Sequence, residues 1–249
     1  MNQIKKVALV TGGTGGLGKA ICRRLLEDNF IVYLCDIQDE YKSSVISELS
    51  QFGEIFYEHL DVAVESHWEN TYSKVMDSFG RLDLVVNNAG INIRVVIEEC
   101  SVEQWDQMFH VNVRGPFLSI KHGLPIMRRQ GFGQFINMSS VAGLVGYIPT
   151  NESYTATKGA VTLLTKSIAT RYAKYGIRCN SIHPATVETD LVKRVLADKK
   201  LRDERIADIP LNRLCSPEDV ANAVAFLASD KATFINGVQF PVDGGLSAR

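Results

Sequence analysis

The stretch "VALVTGGTGGLG", residues 7–18, decides how the rest of this 249-residue chain is read. Four consecutive apolar residues lead into a threonine and a turn that holds five glycines. An unbroken apolar run fits a strand covered on both faces, whereas a strand with one wet side alternates. Gly12, Gly16 and Gly18 satisfy a G-x-x-x-G-x-G spacing, and Gly13, Gly15 and Gly18 satisfy G-x-G-x-x-G. On either spacing, Thr14 and Leu17 complete a turn whose bare backbone can approach a pyrophosphate at the start of a helix. Strand, glycine turn and helix in that order open a βαβ unit.

Outward from this turn, short apolar runs alternate with amphipathic stretches. Strands are expected at 7–10, 31–36, 55–61, 82–88, 134–139, 177–183 and 238–243. Helices are expected at about 17–28, 39–51, 65–79, 102–129, 153–174, 188–205 and 217–228. Ser216-Pro217-Glu218-Asp219 is a helix start, with a serine N-cap, proline at the first helical position and acids in the first turn. Such alternation predicts an α/β fold: a Rossmann-type, doubly wound parallel sheet of about seven strands with helices on both faces. No linker, repeat or low-complexity segment interrupts it, so one domain is expected over residues 1–249. Ligands of such sheets collect beyond the carboxyl ends of the strands. Asp36, Asp61, Asn87-Asn88, Ser139-Ser140 and Pro184 all follow strand ends.

A net charge of -1, with 22% charged residues, presents no basic surface for nucleic acid or anionic membrane. No run approaches the ~18 apolar residues that a membrane span needs. The N-terminus passes from two lysines straight into the first strand, without the pattern of a leader peptide. Five cysteines lie scattered, without a C-x-x-C or a histidine at zinc spacing. Reduced thiols, a cytoplasmic location and no bound metal are therefore expected.

Asp36 closes the second strand, where a carboxylate can accept hydrogen bonds from both adenosine ribose hydroxyls and repels a 2′-phosphate. Ile37, not a base, follows it, and no Arg or Lys precedes Gly16 in the glycine turn. This combination predicts NAD over NADP; a solvated strand-end carboxylate is the alternative. Asp61-Val62, after the third strand, could hold an adenine amino group through carboxylate and backbone.

In "SYTATKGA", residues 153–160, Tyr154 and Lys158 stand one helical turn apart. A phenol near pKa ~10 is a poor acid or base at neutral pH, and a fixed ammonium beside it favours the phenolate. Beside a nicotinamide and a substrate pocket, Tyr154 would trade protons with a substrate oxygen.

With these motifs in place, the chain resembles the short-chain dehydrogenase/reductase family in its short single-domain branch. Carrying the resemblance are Thr11-Gly12 with Gly16 and Gly18, "NNAG" at 87–90, Asn112 in "HVNV", Ser140, the Tyr154/Lys158 pair, and Pro184 opening "PATVET". The resemblance implies Tyr154 as general acid/base and Lys158 as the holder of the nicotinamide ribose and the depressor of the tyrosine pKa. It implies Asn112 as the holder of a water leading from Lys158 to solvent, and Ser140 as the group that polarises the substrate oxygen. Asn88, Ala89 and Gly90 would pack beside the cofactor, and the Val187 amide and Thr189 hydroxyl would hold the carboxamide. Ala185 departs from the glycine usual after Pro184. Ser139 adjoins Ser140, and in a strand only one of the two can face the site; spacing to Tyr154 favours Ser140.

Substrate walls are expected from Asn92, Ile93 and Arg94, from the loop Gly143 to Asn151 with Leu144 and Tyr147, and from a lid-like segment at about 186–208. Their apolar balance suits a secondary alcohol or ketone. Arg94 is either a carboxylate binder or a solvated or interface arginine. The leading expectation is an NAD-dependent oxidoreductase of secondary alcohols. The alternatives are an NADPH-dependent 3-oxoacyl-acyl-carrier-protein reductase and a non-catalytic NAD-binding sensor or scaffold. By resemblance, the helices at 102–129 and 153–174 would pair subunits into a homodimer or homotetramer.

Overall fold

In the computed structural model, which describes residues 5–248, the expected doubly wound sheet is present. Its strands are β1 (Val7–Thr11), β2 (Ile31–Asp36), β3 (Ile55–His59), β4 (Leu84–Asn87), β5 (Gly133–Met138), β6 (Ile177–Pro184) and β7 (Gln239–Val242). They pair in the order β3-β2-β1-β4-β5-β6-β7, parallel throughout. The helices are α1 (Gly16–Glu27), α2 (Lys42–Leu49), α3 (Glu65–Phe79), α4 (Val102–Phe109), α5 (Gly115–Gln130), α6 (Glu152–Tyr172), α7 (Asp190–Val195), α8 (Lys199–Ala207) and α9 (Pro217–Ala228).

Strand periodicity divides the core. Ala8 and Val10 of β1 join Ile21 and Leu25 of α1, Val45 of α2 and Val220 and Val224 of α9 on one face. Val7 and Leu9 point the other way, to Trp68 of α3, Leu118 and Met127 of α5 and Ala169 of α6. Both faces of β1 are thus dry, which is why its sequence does not alternate. A third apolar cluster, around Val141, Ala185, Leu196, Ile209 and Leu214, lies beyond the strand ends and joins the loop after β5 to the 186–214 segment.

Three expected elements differ in detail. β3 stops at His59, short of Asp61: Leu60 N–H makes a last bond to Asp36 O at 2.9 Å, and Asp61 then begins the turn into α3. The helix expected over 102–129 is interrupted by a π turn at His110–Arg114, with the Gly115 amide donating to the His110 carbonyl. Pro116 explains it: proline has no N–H for the carbonyl of Asn112, four residues back, so the ladder slips by one residue. The helix expected over 188–205 is two helices. Asp198 ends the first by capping the second, its carboxylate accepting from the Lys200 and Leu201 amides at 2.7 and 3.2 Å.

Candidate active site

The glycine turn forms a cradle at the start of α1. Gly12 sits at φ +65°, and a Cβ there would lie 2.9 Å from Ala89 Cα. At Gly18 a Cβ would meet the Gly12 carbonyl oxygen at 2.1 Å, so neither position tolerates a side chain. Gly15 is the N-cap, and the first intrahelical bond is Lys19 N–H to Gly15 O at 2.8 Å. The amides of Gly16, Leu17 and Gly18 therefore form the open first turn, where the helix dipole favours an anion. Gly16 faces Thr189: a Cβ at Gly16 would stand 3.3 Å from Thr189 Cβ, so the turn and the "PATVET" segment meet.

Beside this cradle, the buried Asp36 carboxylate accepts from Thr14 N–H at 3.0 Å, Thr14 Oγ1 at 2.7 Å and Gln38 N–H at 3.1 Å. Ile37 is exposed at the rim. The Asp61 carboxylate holds its own turn by accepting from Ala63 N–H at 2.9 Å, and the Val62 carbonyl accepts from the Trp68 indole at 2.9 Å.

Thr11 is a site residue for which sequence reading assigned no role. Its hydroxyl oxygen accepts from both the Asn88 and Ala89 amides at 3.0 Å. Asn88 Nδ2 returns bonds to the Thr11 and Gly12 carbonyls at 2.9 and 3.2 Å. Side chain and backbone thus clasp the ends of β1 and β4 around the cradle. At Gly90 a Cβ would stand 3.2 Å from Asn112 Oδ1 and 3.5 Å from Lys158 Nζ, so bare backbone here lets those two groups converge.

Asn112 lies in the π turn and is buried. Its Oδ1 accepts from Ile91 N–H at 2.8 Å, while Nδ2 donates to Ile91 O at 2.9 Å and Thr157 Oγ1 at 3.1 Å. The Asn112 amide thus ties α6 to the chain after β4. Tyr154 is the third residue of α6. Asn151, the N-cap, accepts from Tyr154 N–H at 2.6 Å and donates through Nδ2 to Asn92 Oδ1 at 2.9 Å and to the Ile93 carbonyl. Sequence reading treated Asn151 only as the end of a loop. An Asn three residues before Tyr154, with Glu152 in the first turn, is the capping signal that locates it.

One turn on, the buried Lys158 donates from Nζ to Met138 O at 2.9 Å, with Nζ 5.4 Å from the Tyr154 ring centroid. Ser139 turns into α6, its hydroxyl 3.0 Å from both the Lys158 carbonyl and Thr162 Oγ1. Ser140 has extended backbone and faces the other way. Its hydroxyl accepts from Ala142 N–H at 3.2 Å, and its side chain lies near enough to Tyr154 to pull the phenol's pKa down.

Electrostatics here differ from the sequence expectation that Lys158 depresses the Tyr154 pKa. Burial pushes the Tyr154 phenol up to about 12, against opposing pulls from the nearby Ser140 side chain and the Arg94 charge. Burial also brings the Lys158 ammonium down to about 8. Removal from water disfavours both charged forms, and it outweighs a cation seated beside the ring. The position of Tyr154 in the first turn of α6 favours the phenolate through the helix dipole.

On the substrate side, the three expected walls are stitched together. Asn92 Nδ2 reaches Thr150 Oγ1 at 3.2 Å, and Arg205 of α8 donates to Pro149 O at 3.4 Å. Glu188 pairs with Arg202. Leu144 is half-buried, Arg94 is exposed with its charge felt at Tyr154, and Tyr147 packs on Val141 and Leu196. The Tyr147 hydroxyl is sealed from solvent without a hydrogen bond, and burial raises its pKa against smaller opposing pulls from the nearby Thr186 and Arg205. Pro184 ends β6, and Val187 bridges in parallel to Cys215. That bridge uses the Thr186 carbonyl and the Glu188 amide, which leaves the Val187 amide pointing away from it.

Residues 12–247 match the family model described as Enoyl-(Acyl carrier protein) reductase. Cyclopentanol dehydrogenase of Comamonas sp. (strain NCIMB 9872) is 38% identical over 244 residues, covering 98% of this chain and 97% of that protein. The 2,5-dichloro-2,5-cyclohexadiene-1,4-diol dehydrogenase of Sphingobium indicum is 38% identical over 245 residues, covering 97% and 96%. Among solved structures, ElxO with NADP bound superposes with a TM-score of 0.93 at 30% identity, covering 98% of this chain and 100% of that one. The chain belongs to the short-chain dehydrogenase/reductase family.

Proposed function

We propose that this protein is an NAD(H)-dependent oxidoreductase acting on a secondary alcohol or ketone of modest size, with Tyr154 as general acid/base. The observation that carries the reading is the convergence of Ser140, Tyr154 and Lys158 at one end of the sheet, with Ser139 turned away. The Gly12–Gly18 cradle, the open first turn of α1 and the Asp36 carboxylate fit a dinucleotide. Gly12, Thr14, Gly15, Gly16, Leu17 and Gly18 would hold the pyrophosphate, Asp36 and Ile37 the adenosine ribose, and Asp61 and Val62 the adenine. Asn88, Ala89, Gly90, Pro184, Val187 and Thr189 would flank the nicotinamide half. When bound, the nicotinamide supplies or takes the hydride.

Within the chain, Ser140 donates a hydrogen bond to the substrate oxygen and Tyr154 gives or takes the proton at that oxygen. Charge that develops there is met by fixed donors in a site largely shielded from water. Lys158 and Asn112 bracket Gly90, and a water held at Asn112 would lead the proton from Lys158 to solvent. A non-catalytic sensor would have no use for this buried set. The apolar walls from Leu144, Tyr147 and the 186–208 segment support an alcohol of small ring or chain size. They accord with the names of the dehydrogenases at 38% identity.

A second reading, an NADPH-dependent 3-oxoacyl-acyl-carrier-protein reductase, draws on the acyl-carrier description of the family model and the NADP bound in ElxO. The Asp36 carboxylate weighs against it, because a negative charge beside the adenosine ribose would repel a 2′-phosphate. Nicotinamide absorbance with cyclopentanol, other secondary alcohols, cyclic diols and 3-oxoacyl thioesters, each with NAD(H) and NADP(H), separates the two. Turnover confined to thioesters with NADPH would overturn the first.

Two further assignments belong to this reading. An apolar groove between α5 and α6, lined by Phe117, Ile120, Leu124, Leu164, Ile168 and Tyr172, supports a homodimer or homotetramer built on these helices. No helix among the described residues is long and apolar enough to cross a membrane. All five cysteines are unpaired thiols, which supports the reducing cytoplasm.

A further inference from the structure

His183 lies at the end of β6 and is sealed from solvent. Its surroundings say more. The Nδ1 atom is 2.9 Å from the backbone carbonyl oxygen of Ser140, and Nε2 is 2.8 Å from Ser181 Oγ. A carbonyl only accepts, so Nδ1 carries the proton and Nε2 is an acceptor. Ser181 has one hydroxyl proton and two acceptors in reach, His183 Nε2 at 2.8 Å and Val238 O at 3.4 Å. The nearer takes it, which closes the chain Ser181 to His183 to Ser140.

This chain ends at the point where the backbone leaves the sheet. Ser139 N–H still donates to Ile182 O at 2.9 Å, as the last rung between β5 and β6. Ser140 comes next, with extended backbone at φ −164° and ψ 160°, and the chain then tightens into the turn Val141–Gly143. The Ser140 carbonyl has two lone pairs. Gly143 N–H, at 2.9 Å, takes one through the local turn, and His183 takes the other from across the sheet. The local bond lets the turn swing as a unit. The bond from β6 ties it to the rigid part of the fold.

We propose that His183 is a positioning residue for the reaction, a neutral imidazole whose Nδ1–H holds the Ser140 carbonyl and so keeps the Ser140 hydroxyl directed at Tyr154. Burial brings its pKa down to about 4, so the ring is uncharged at neutral pH; Lys158 and Lys166 add to that effect and Asp243 opposes it. An uncharged ring is what the site requires, since a second cation near Lys158 would repel it. The inference rests on the reading of Ser140 given above.

The test compares His183→Asn, His183→Gln and His183→Leu, with Ser140→Ala in parallel, on the secondary alcohol turned over fastest in the panel. The Asn amide can place an N–H where Nδ1 stands, whereas the longer Gln amide reaches toward the Nε2 position. We expect His183→Asn to retain kcat within about threefold, and His183→Gln and His183→Leu to lose about tenfold to a hundredfold, with KM little changed. Retained kcat in a folded His183→Leu, or equal impairment of the Asn and Gln variants, would overturn the inference. If the Leu variant does not fold, the order of Asn over Gln decides. Full activity of Ser140→Ala would overturn the functional reading itself; an impaired Ser140→Ala with an unimpaired His183→Gln would sink only the role of His183. Long-range ¹H–¹⁵N NMR of the wild-type ring gives a readout without turnover. The neutral Nδ1–H tautomer is expected to persist from pH 9 down to about pH 5, and a ring titrating near 6.5 or an Nε2–H tautomer would contradict the proposal.

Discussion

The Asp36 carboxylate accepts two hydrogen bonds from Thr14, one from the backbone N–H at 3.0 Å and one from the hydroxyl at 2.7 Å. The end of β2 is thereby locked to the glycine turn, with a negative charge at the rim where the adenosine ribose would sit. In the proposed reading, that charge would discriminate against a 2′-phosphate. We expect kcat/KM with NAD to exceed that with NADP on the order of 100-fold, about 2.7 kcal/mol of repulsion. Asp36→Ala should shrink the ratio to within about tenfold. Equal use of both cofactors by the wild type would show that the carboxylate does not face the ribose.

Tyr154→Phe removes the only phenol in the convergent set with Ser140 and Lys158. Loss of a general acid/base typically costs about 10²- to 10⁴-fold. The expected outcome is a kcat reduced by that range with cofactor affinity, measured by nicotinamide fluorescence, kept within about threefold. A variant that turns over normally would remove Tyr154 from the chemistry.

Lys158 offers a stability test with an unusual sign. Its pKa is about 8 folded, against an ordinary value near 10.5, so between these pH values the unfolded chain binds more protons. Its contribution to stability rises with pH through that window, and at pH 7 the buried charge is a net cost. Lys158→Met is expected to abolish turnover while leaving the melting temperature at pH 7 unchanged or higher. A fall of several degrees would show that the bond to Met138 O outweighs the burial cost.

His183 carries the same sign at lower pH. Its folded pKa of about 4 lies below the ordinary 6.5, so stability is fully present above pH 6.5 and declines as pH falls toward 4. His183→Asn should flatten the fall in melting temperature over that interval. An unchanged slope would assign acid sensitivity to other groups.

Pro116 predicts a separable effect on catalysis. Pro116→Ala supplies the N–H that the Asn112 carbonyl lacks and permits a regular helix across 110–114. Regularising the turn rotates Asn112 away from Ile91 and Thr157. We expect kcat to fall about tenfold with thermal stability maintained; wild-type kcat would show that the π turn is not needed to aim Asn112.

The groove between α5 and α6 is checked by Leu164→Glu, which places a charge among Phe117, Ile120 and Ile168. Sedimentation is expected to show an oligomer for the wild type and a shift toward single chains for the variant. An unaltered mass would place the interface elsewhere.

Much of this molecule was legible from residue order. Unbroken apolar runs at 7–10 and 31–36, turn glycines and capped helix starts announced a parallel sheet, because each reflects a local rule of period, φ or capping. The same residues pointed to the cradle at Gly12–Gly18, where backbone alone makes the site. What only the tertiary structure decided involves partners far apart in the chain. Where β5 hands over to the turn fixes the direction of Ser140, the serine that spacing already favoured, and His183 bears on that turn from a neighbouring strand. Asn112 is aimed by a slipped helical ladder, and Gly16 meets Thr189 across the strand ends. Above all, the protonation of Tyr154 and Lys158 could not be read from their spacing: adjacency in a helix sets the distance between two charges, but burial by the rest of the fold sets what each charge costs.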